Sequence, residues 1–169
     1  NKITIVGVGL IGGSFAKGIK QAGLVEEIVG FGQNTTNLQK AIELDVVDSF
    51  TTDIAEAVQD SDLVFLAVPL GAMKTVLENM KPYLSENTII TDGGSAKSSV
   101  ILSAQEVFGA LPVNFVPGHP IAGKEKSGVT AADEKLYVDH RVILTPTANT
   151  SETSLEIVQG LWSALGANV

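Results

Sequence analysis

The sequence contains no cysteine among its 169 residues. Because thiols are absent, the chain has no disulfide framework, no zinc–thiolate centre and no cysteine nucleophile. Long apolar runs are absent as well, since none approaches the ~20 residues that a membrane-spanning helix needs. No signal peptide precedes the first predicted strand, so we expect a soluble cytoplasmic protein without a membrane partner.

Basic side chains are scarce relative to acidic ones. The sequence has 11 Lys and Arg residues against 19 Asp and Glu residues, which gives a formal net charge of −8. Nucleic-acid-binding domains favour the opposite balance, because their basic side chains neutralise phosphates, so we expect no nucleic-acid partner. A small anionic ligand is compatible with this charge, since backbone amides can hold an anion even in an acidic protein.

Segments typical of strands alternate with segments typical of helices. We predict strands over residues 2–6, 27–31, 63–68, 88–91, 114–116 and 142–144, and another beginning at 167–169. We predict helices over residues 10–21, 36–44, 72–80, 96–108 and 152–165. This alternation indicates βαβ crossovers, so residues 1–169 should form one α/β domain with a Rossmann-type, doubly wound, mostly parallel sheet. The long connection 117–139 is expected to be functional or mobile.

The first predicted strand ends in a glycine-rich turn. Gly7, Gly9 and Gly12 form the pattern G-x-G-x-x-G between that strand and a helix, the context in which the pattern indicates a dinucleotide site. Gly7 would make the tight turn, Gly9 would let the backbone approach the pyrophosphate, and Gly12 would permit close helix–strand packing. Leu10 and Ile11 join them as predicted phosphate-binding residues at the helix N-terminus. The alternative is a glycine-rich turn that holds no ligand.

The turn after the second predicted strand is expected to determine whether NAD or NADP is the preferred cofactor. An acidic residue there normally binds the ribose 2′-hydroxyl and favours NAD. This chain has Gly32 at that place, followed by Gln33 and Asn34, and no arginine for a 2′-phosphate. These three residues are candidate ribose contacts for either NAD or NADP, or else they only cap the next helix. Val68 and Pro69, which follow a buried strand, are expected to pass near a cofactor ribose.

Three stretches of the sequence resemble one enzyme family. Residues 9–14 (GLIGGS), 91–97 (TDGGSAK) and 118–128 (GHPIAGKEKSG) are similar, in the same order, to the signature segments of prephenate/arogenate (cyclohexadienyl) dehydrogenases. The resemblance implies the NAD(P)-dependent oxidative decarboxylation of prephenate or L-arogenate to 4-hydroxyphenylpyruvate or tyrosine, in tyrosine biosynthesis. It also implies a helical C-terminal domain, not contained in residues 1–169, through which the complete enzyme forms a homodimer.

The candidate chemical residues lie in the second and third stretches. The sequence has two histidines, and His119, whose imidazole has a reference pKa of about 6.5, suits proton abstraction near neutral pH. His140 has charged neighbours and is expected at the surface. The resemblance gives Ser95 a hydrogen bond to the substrate hydroxyl or to the imidazole, although a helix N-cap is its simpler role. It places further substrate contacts at Gly123, Glu125, Lys126 and Ser127. No metal site is expected.

Two other functions are weighed against this reading. A different Rossmann dehydrogenase, such as a β-hydroxyacid dehydrogenase, would place a catalytic lysine in its second domain and would leave the GHPIAG segment unexplained. A non-catalytic module that senses a dinucleotide would have no use for His119. Fold alone cannot decide between these functions, because one fold carries many activities.

Overall fold

The sheet that organises the molecule is parallel throughout. A computed structural model describes residues 1–94, 97–122 and 128–169. Within these residues, one sheet contains β1 (Lys2–Val6), β2 (Glu27–Phe31), β3 (Ser49–Thr51), β4 (Leu63–Leu66), β5 (Ile89–Asp92) and β6 (Phe115–Val116), in the order β3-β2-β1-β4-β5-β6. This is the strand order of the Rossmann fold, so the predicted fold class is confirmed.

Helices cover both faces of this sheet. They are α1 (Leu10–Gln21), α2 (Thr35–Glu43), α3 (Ile54–Val58), α4 (Leu70–Met80), α5 (Lys97–Phe108) and α6 (Glu152–Ala164), with 3₁₀ turns at Lys81–Tyr83 and Val129–Ala131. Strand β4 shows that both faces of the sheet are covered, because all four of its side chains are buried. Leu63 and Phe65 join one apolar core with α1, α2 and α6, whereas Val64 and Leu66 join a second core with α3, α4 and α5. Side chains that alternate between two apolar layers are what a doubly wound sheet requires.

The segment after residue 128 packs against α1. The hydroxyl of Tyr137 donates a hydrogen bond to the Ile11 carbonyl oxygen at 2.7 Å, and the Asp133 amide donates to Ser14 Oγ at 3.0 Å. Trp162 lies behind the Tyr137 ring at 4.8 Å between centroids, with the two planes nearly perpendicular. Since Tyr137 and Trp162 are fully buried, this half of the long connection belongs to the core rather than to a surface loop.

A two-stranded antiparallel ribbon lies beside the main sheet, and one of its two strands was not predicted. It pairs β7 (Gly118–Pro120) with β8 (Val142–Leu144), and His119 stands opposite Ile143. No strand was predicted within the connection 117–139, because glycine and proline flank His119 and both residues are rare in strands. Pairing with β8 overrides that local preference.

Three smaller differences concern the ends and edges of the fold. Strand β3 and helix α3 were not predicted. The expected strand at 167–169 extends no further than an isolated bridge between Asn168 and Arg141. Other boundaries agree within one or two residues, the usual uncertainty of an element's ends. No helix in the described part of the chain is long and apolar enough to cross a membrane.

Candidate functional site

A cleft opens at the carboxyl edge of the sheet, where the strand order reverses between β1 and β4. This central cleft has a volume of about 490 Å³, and Ile11, Val68, Pro69, Gly93, Gly94 and His119 are among the residues that line it. Ligands of open α/β sheets bind at such a reversal point. The cleft brings together the predicted residues Ile11, Val68, Pro69 and His119 from three separate segments of the chain.

The three glycines of the first turn have different surroundings. Gly7 has φ +97°, and a Cβ there would overlap the Ala67 carbonyl group. A Cβ at Gly12 would overlap the Gly7 carbonyl oxygen and would lie 2.9 Å from Ile5 Cγ2, so α1 sits directly on β1. A Cβ at Gly9 would meet nothing within 4 Å among the described atoms. Gly7 and Gly12 therefore serve internal packing, whereas Gly9 borders open space that a pyrophosphate would fit.

The helix N-termini at the central cleft differ from those elsewhere. Asn34 caps α2, Asp53 caps α3 and Ser151 caps α6, each by accepting a hydrogen bond from a backbone amide. At α1 and α4 the N-cap residues are Gly9 and Pro69, and in the described part of the chain no side chain caps either helix. Amides without side-chain partners and the positive end of the helix dipole suit an anion, which supports a phosphate subsite at the 12-residue helix α1.

The turn after β2 borders a second, outer cleft of about 400 Å³. Gln33 lines it together with Thr52 and Asp53, which follow β3. Gly32 has room for a side chain, because a Cβ there would come no closer than 3.7 Å to Leu38. Asn34 accepts a hydrogen bond from the Asn37 amide at 3.0 Å, so the capping role weighed for this turn does apply to Asn34. Thr52 and Asp53 were not predicted at this cleft, because strand β3 was not predicted; the capping residue Asp53 followed by Ile54 was the available signal.

His119 is half-buried in the wall of the central cleft, whereas His140 is exposed. The preceding residue, Gly118, holds β7 against the end of β5, since a Cβ at Gly118 would lie 2.9 Å from the Asp92 carbonyl oxygen. The His140 ring nitrogen Nδ1 lies 2.9 Å from the Val138 carbonyl oxygen, close in sequence and away from the central cleft. Of the two histidines, only His119 can act on a ligand in this cleft.

Several predicted substrate residues fall outside the described residues: Ser95, Gly123, Glu125, Lys126 and Ser127. Their roles stay predictions. Gly94 and Ala122, which adjoin those segments in sequence, line the same central cleft as His119. Among residues 1–94, 97–122 and 128–169, no group of three or more His, Cys, Asp or Glu side chains could hold a metal ion.

Comparison with known proteins gives consistent matches over this chain. The family model described as "Prephenate dehydrogenase, nucleotide-binding domain" matches residues 15–169. The cyclohexadienyl dehydrogenase of Zymomonas mobilis is 38% identical over 168 residues, which are 99% of this chain and 56% of that protein. The chain thus spans about half the length of the curated relatives that it matches, with 44% of the prephenate dehydrogenase of Lactococcus lactis covered in a second case.

Solved structures agree in fold as well as in sequence. The prephenate dehydrogenase of Aquifex aeolicus, in complex with hydroxyphenyl propionate and NAD⁺, superposes with a TM-score of 0.91 at 36% identity, covering 100% of this chain and 58% of that one. The Synechocystis arogenate dehydrogenase superposes with a TM-score of 0.89 at 31% identity, covering 99% of this chain and 58% of that one.

Proposed function

This chain belongs to the prephenate dehydrogenase family, matching its nucleotide-binding domain, and we propose that it supplies the NAD(P) site and the general base of a prephenate or arogenate dehydrogenase. The observation that carries the proposal is the position of His119. It faces the same central cleft as Ile11 in the first turn of α1 and as Val68 and Pro69 after β4. The proposed base and the proposed phosphate subsite would therefore lie together in the crevice where the strand order reverses.

The chain's residues fit a dinucleotide in three respects. The uncapped N-terminus of α1 can bind the pyrophosphate, and Gly9 leaves the space through which it approaches. Gln33 borders the outer cleft, where a ribose and adenine can lie across β2. When bound, the nicotinamide ring accepts the hydride of the reaction. The A. aeolicus relative with NAD⁺ supports NAD, and Gly32 leaves room for NADP.

The reaction needs one proton acceptor and accurate orientation. The C4–H bond of the cyclohexadienyl ring breaks and its electron pair leaves with the hydride, while the C4 hydroxyl proton passes to the neutral imidazole of His119. The bond to the ring carboxylate then breaks, CO₂ leaves, and the electron pair of that bond passes through the ring to the new carbonyl oxygen, so the ring becomes aromatic. The resulting phenolate oxygen takes a proton back from the His119 imidazolium. By resemblance to the family, Ser95 would hydrogen-bond the substrate hydroxyl or the imidazole. The same resemblance predicts that the substrate pocket is lined by Glu125, Lys126 and Ser127.

The complete protein is proposed to be larger than this domain. The relatives extend well beyond the matched length, since only 56% of the Z. mobilis protein is covered. A helical C-terminal domain would close the open side of the central cleft, exclude water and supply homodimer contacts. We place the protein in the cytoplasm, where nicotinamide dinucleotides and amino-acid precursors are available, with a small-molecule substrate as its ligand.

Absorbance at 340 nm tests the proposal on the full-length protein. Prephenate and L-arogenate are each offered with NAD⁺ and with NADP⁺, and at least one pair should give the reduced cofactor. His119→Asn should lower kcat by ~10²–10⁴-fold, as expected for loss of a general base, while the Kd for the cofactor changes little. His140→Asn, the matched control at an exposed histidine, should leave kcat unchanged. Failure of both substrates, or a His119→Asn variant with most of its kcat, contradicts the proposal.

A further inference from the structure

A fully buried carboxylate lies next to the central cleft and has no part in the proposed proton transfer. Asp92 is the last residue of β5 and has no exposed surface. A buried ionised carboxylate is costly unless it is hydrogen-bonded. Its presence at this place needs a physical reason, and the groups that it contacts supply one.

Asp92 binds both walls of the cleft. Its Oδ2 accepts a hydrogen bond from the Gly94 amide at 2.9 Å, within the turn that follows β5. Its Oδ1 accepts one from the Gly118 amide at 3.1 Å, in the first residue of β7. Gly94 and His119 both line the central cleft, and Gly118 immediately precedes His119. One side chain therefore joins the turn on one side of the cleft to the strand that carries the imidazole on the other.

The contact is close on the β7 side. A Cβ at Gly118 would lie 2.9 Å from the Asp92 carbonyl oxygen and 3.2 Å from Leu144 Cδ2. Only a residue without a side chain lets β7 approach the end of β5 so nearly. Backbone position at residue 118 is thus fixed by Asp92 from one side and by Leu144 from the other.

We propose that Asp92 is a positioning residue for the dehydrogenase reaction: it holds His119 in register with the turn at residues 93–94, acting through the Gly118 amide. The proposal rests on the proposed function, since it presumes that His119 is the base. A carboxylate suits the task because both of its oxygens accept hydrogen bonds. An asparagine would accept from one amide and would turn its NH₂ group toward the other.

The first test is Asp92→Asn in the full-length protein. A displacement of about 1 Å at a reacting group costs on the order of 10²-fold in rate, so kcat should fall by about 10–100-fold. The Kd for NAD⁺ should stay within about twofold, because neither amide belongs to α1. Thr88→Val is the matched control: Thr88 is also buried, precedes the same strand at its opposite end, and donates to the Ser61 carbonyl oxygen at 3.1 Å. It should lower stability yet leave kcat unchanged.

A double-mutant cycle separates positioning from general destabilisation. If Asp92 acts through the imidazole, Asp92→Asn should have little further effect on kcat in a protein that already carries His119→Asn. If the reduction of kcat in the double variant equals the product of the two single reductions, the proposal is overturned. An Asp92→Asn protein with wild-type kcat overturns it as well. Should Asp92→Asn fail to fold, Gly118→Ala decides, because its Cβ displaces β7 and leaves the carboxylate intact; unchanged kcat there also overturns the proposal. A wild-type protein without dehydrogenase activity refutes the proposed function instead, so the two failures are distinguishable.

Discussion

Replacing Gly9 and Gly12 separately by alanine tests whether the glycine turn binds a phosphate. At Gly12 the new Cβ would overlap the Gly7 carbonyl oxygen and crowd Ile5 and Ala67, at 2.9 and 3.2 Å. Overpacking of this kind costs ~1–3 kcal/mol, and the upper end applies because the nearest obstacle is backbone that cannot rotate away. Alanine gains ~1 kcal/mol over glycine in a helix. The net loss for Gly12→Ala is therefore about 2 kcal/mol.

Gly9→Ala should behave in the opposite way. The Cβ would meet nothing within 4 Å, and the φ of Gly9 is −111°, outside the left-handed region. Reduced freedom of the unfolded chain stabilises the variant by ~0.4–1 kcal/mol, and the poorer N-cap offsets most of that gain. Stability should thus change by less than about 0.5 kcal/mol. The methyl group would instead occupy the space proposed for the pyrophosphate.

Thermal melting and calorimetric titration with NAD⁺ distinguish the two effects. At ~2–4 °C per kcal/mol for a domain of this size, Gly12→Ala should melt roughly 4–8 °C lower than the wild type, and Gly9→Ala at nearly the same temperature. Loss of even one amide–phosphate hydrogen bond, ~1.5–3 kcal/mol with a charged partner, should raise the Kd of Gly9→Ala by roughly 10–150-fold. An unchanged Kd for Gly9→Ala would refute the assignment of the phosphate subsite.

Three further substitutions test other parts of the molecule. Gly32→Asp should shift cofactor preference toward NAD, since the new side chain has room. We expect the wild type to discriminate little between NAD⁺ and NADP⁺, and a calorimetric preference for NAD⁺ above about a hundredfold would contradict this. Tyr137→Phe removes a 2.7 Å hydrogen bond to the Ile11 carbonyl and should cost about 1 kcal/mol in denaturant unfolding. Burial raises the pKa of Asp48, but hydrogen bonds from Lys20 and a backbone amide outweigh it and hold that pKa below its ordinary 3.8. Asp48→Asn should therefore be less stable than the wild type above about pH 4, by ~0.5–1 kcal/mol, and the difference should vanish as pH falls through the lowered pKa.

The central elements could be predicted from sequence because their local signals agree with their tertiary roles. Strands β1 and β2 and helix α1 have the predicted bounds. In each case a buried apolar run or a helical apolar stripe ends at glycine, so periodicity and turn chemistry indicate the same structure. The glycine-rich turn between β1 and α1 could be predicted for the same reason.

Elements that depend on contacts with residues distant in sequence could not be predicted. Strand β3 has only three residues and α3 only five, and segments this short show no detectable hydrophobic periodicity. Strand β7 forms from Gly118, His119 and Pro120, a poor strand sequence, because β8 lies within reach. The role of Asp92 follows from contacts with residues 94 and 118, and no spacing in the sequence links those positions.

The strand at the centre of the sheet is synthesised before both of its neighbours. Strand β1 lies between β2 and β4, and β4 ends at Leu66. During synthesis at ~5–20 residues per second, an apolar strand therefore keeps at least one hydrogen-bonding edge open for several seconds. Parallel pairings of this kind are non-local and form slowly. Nascent chains that end before Leu66 expose this edge of β1 as a template for intermolecular pairing. The yield of folded protein should therefore depend on protection of the emerging strand as well as on the final stability of the domain.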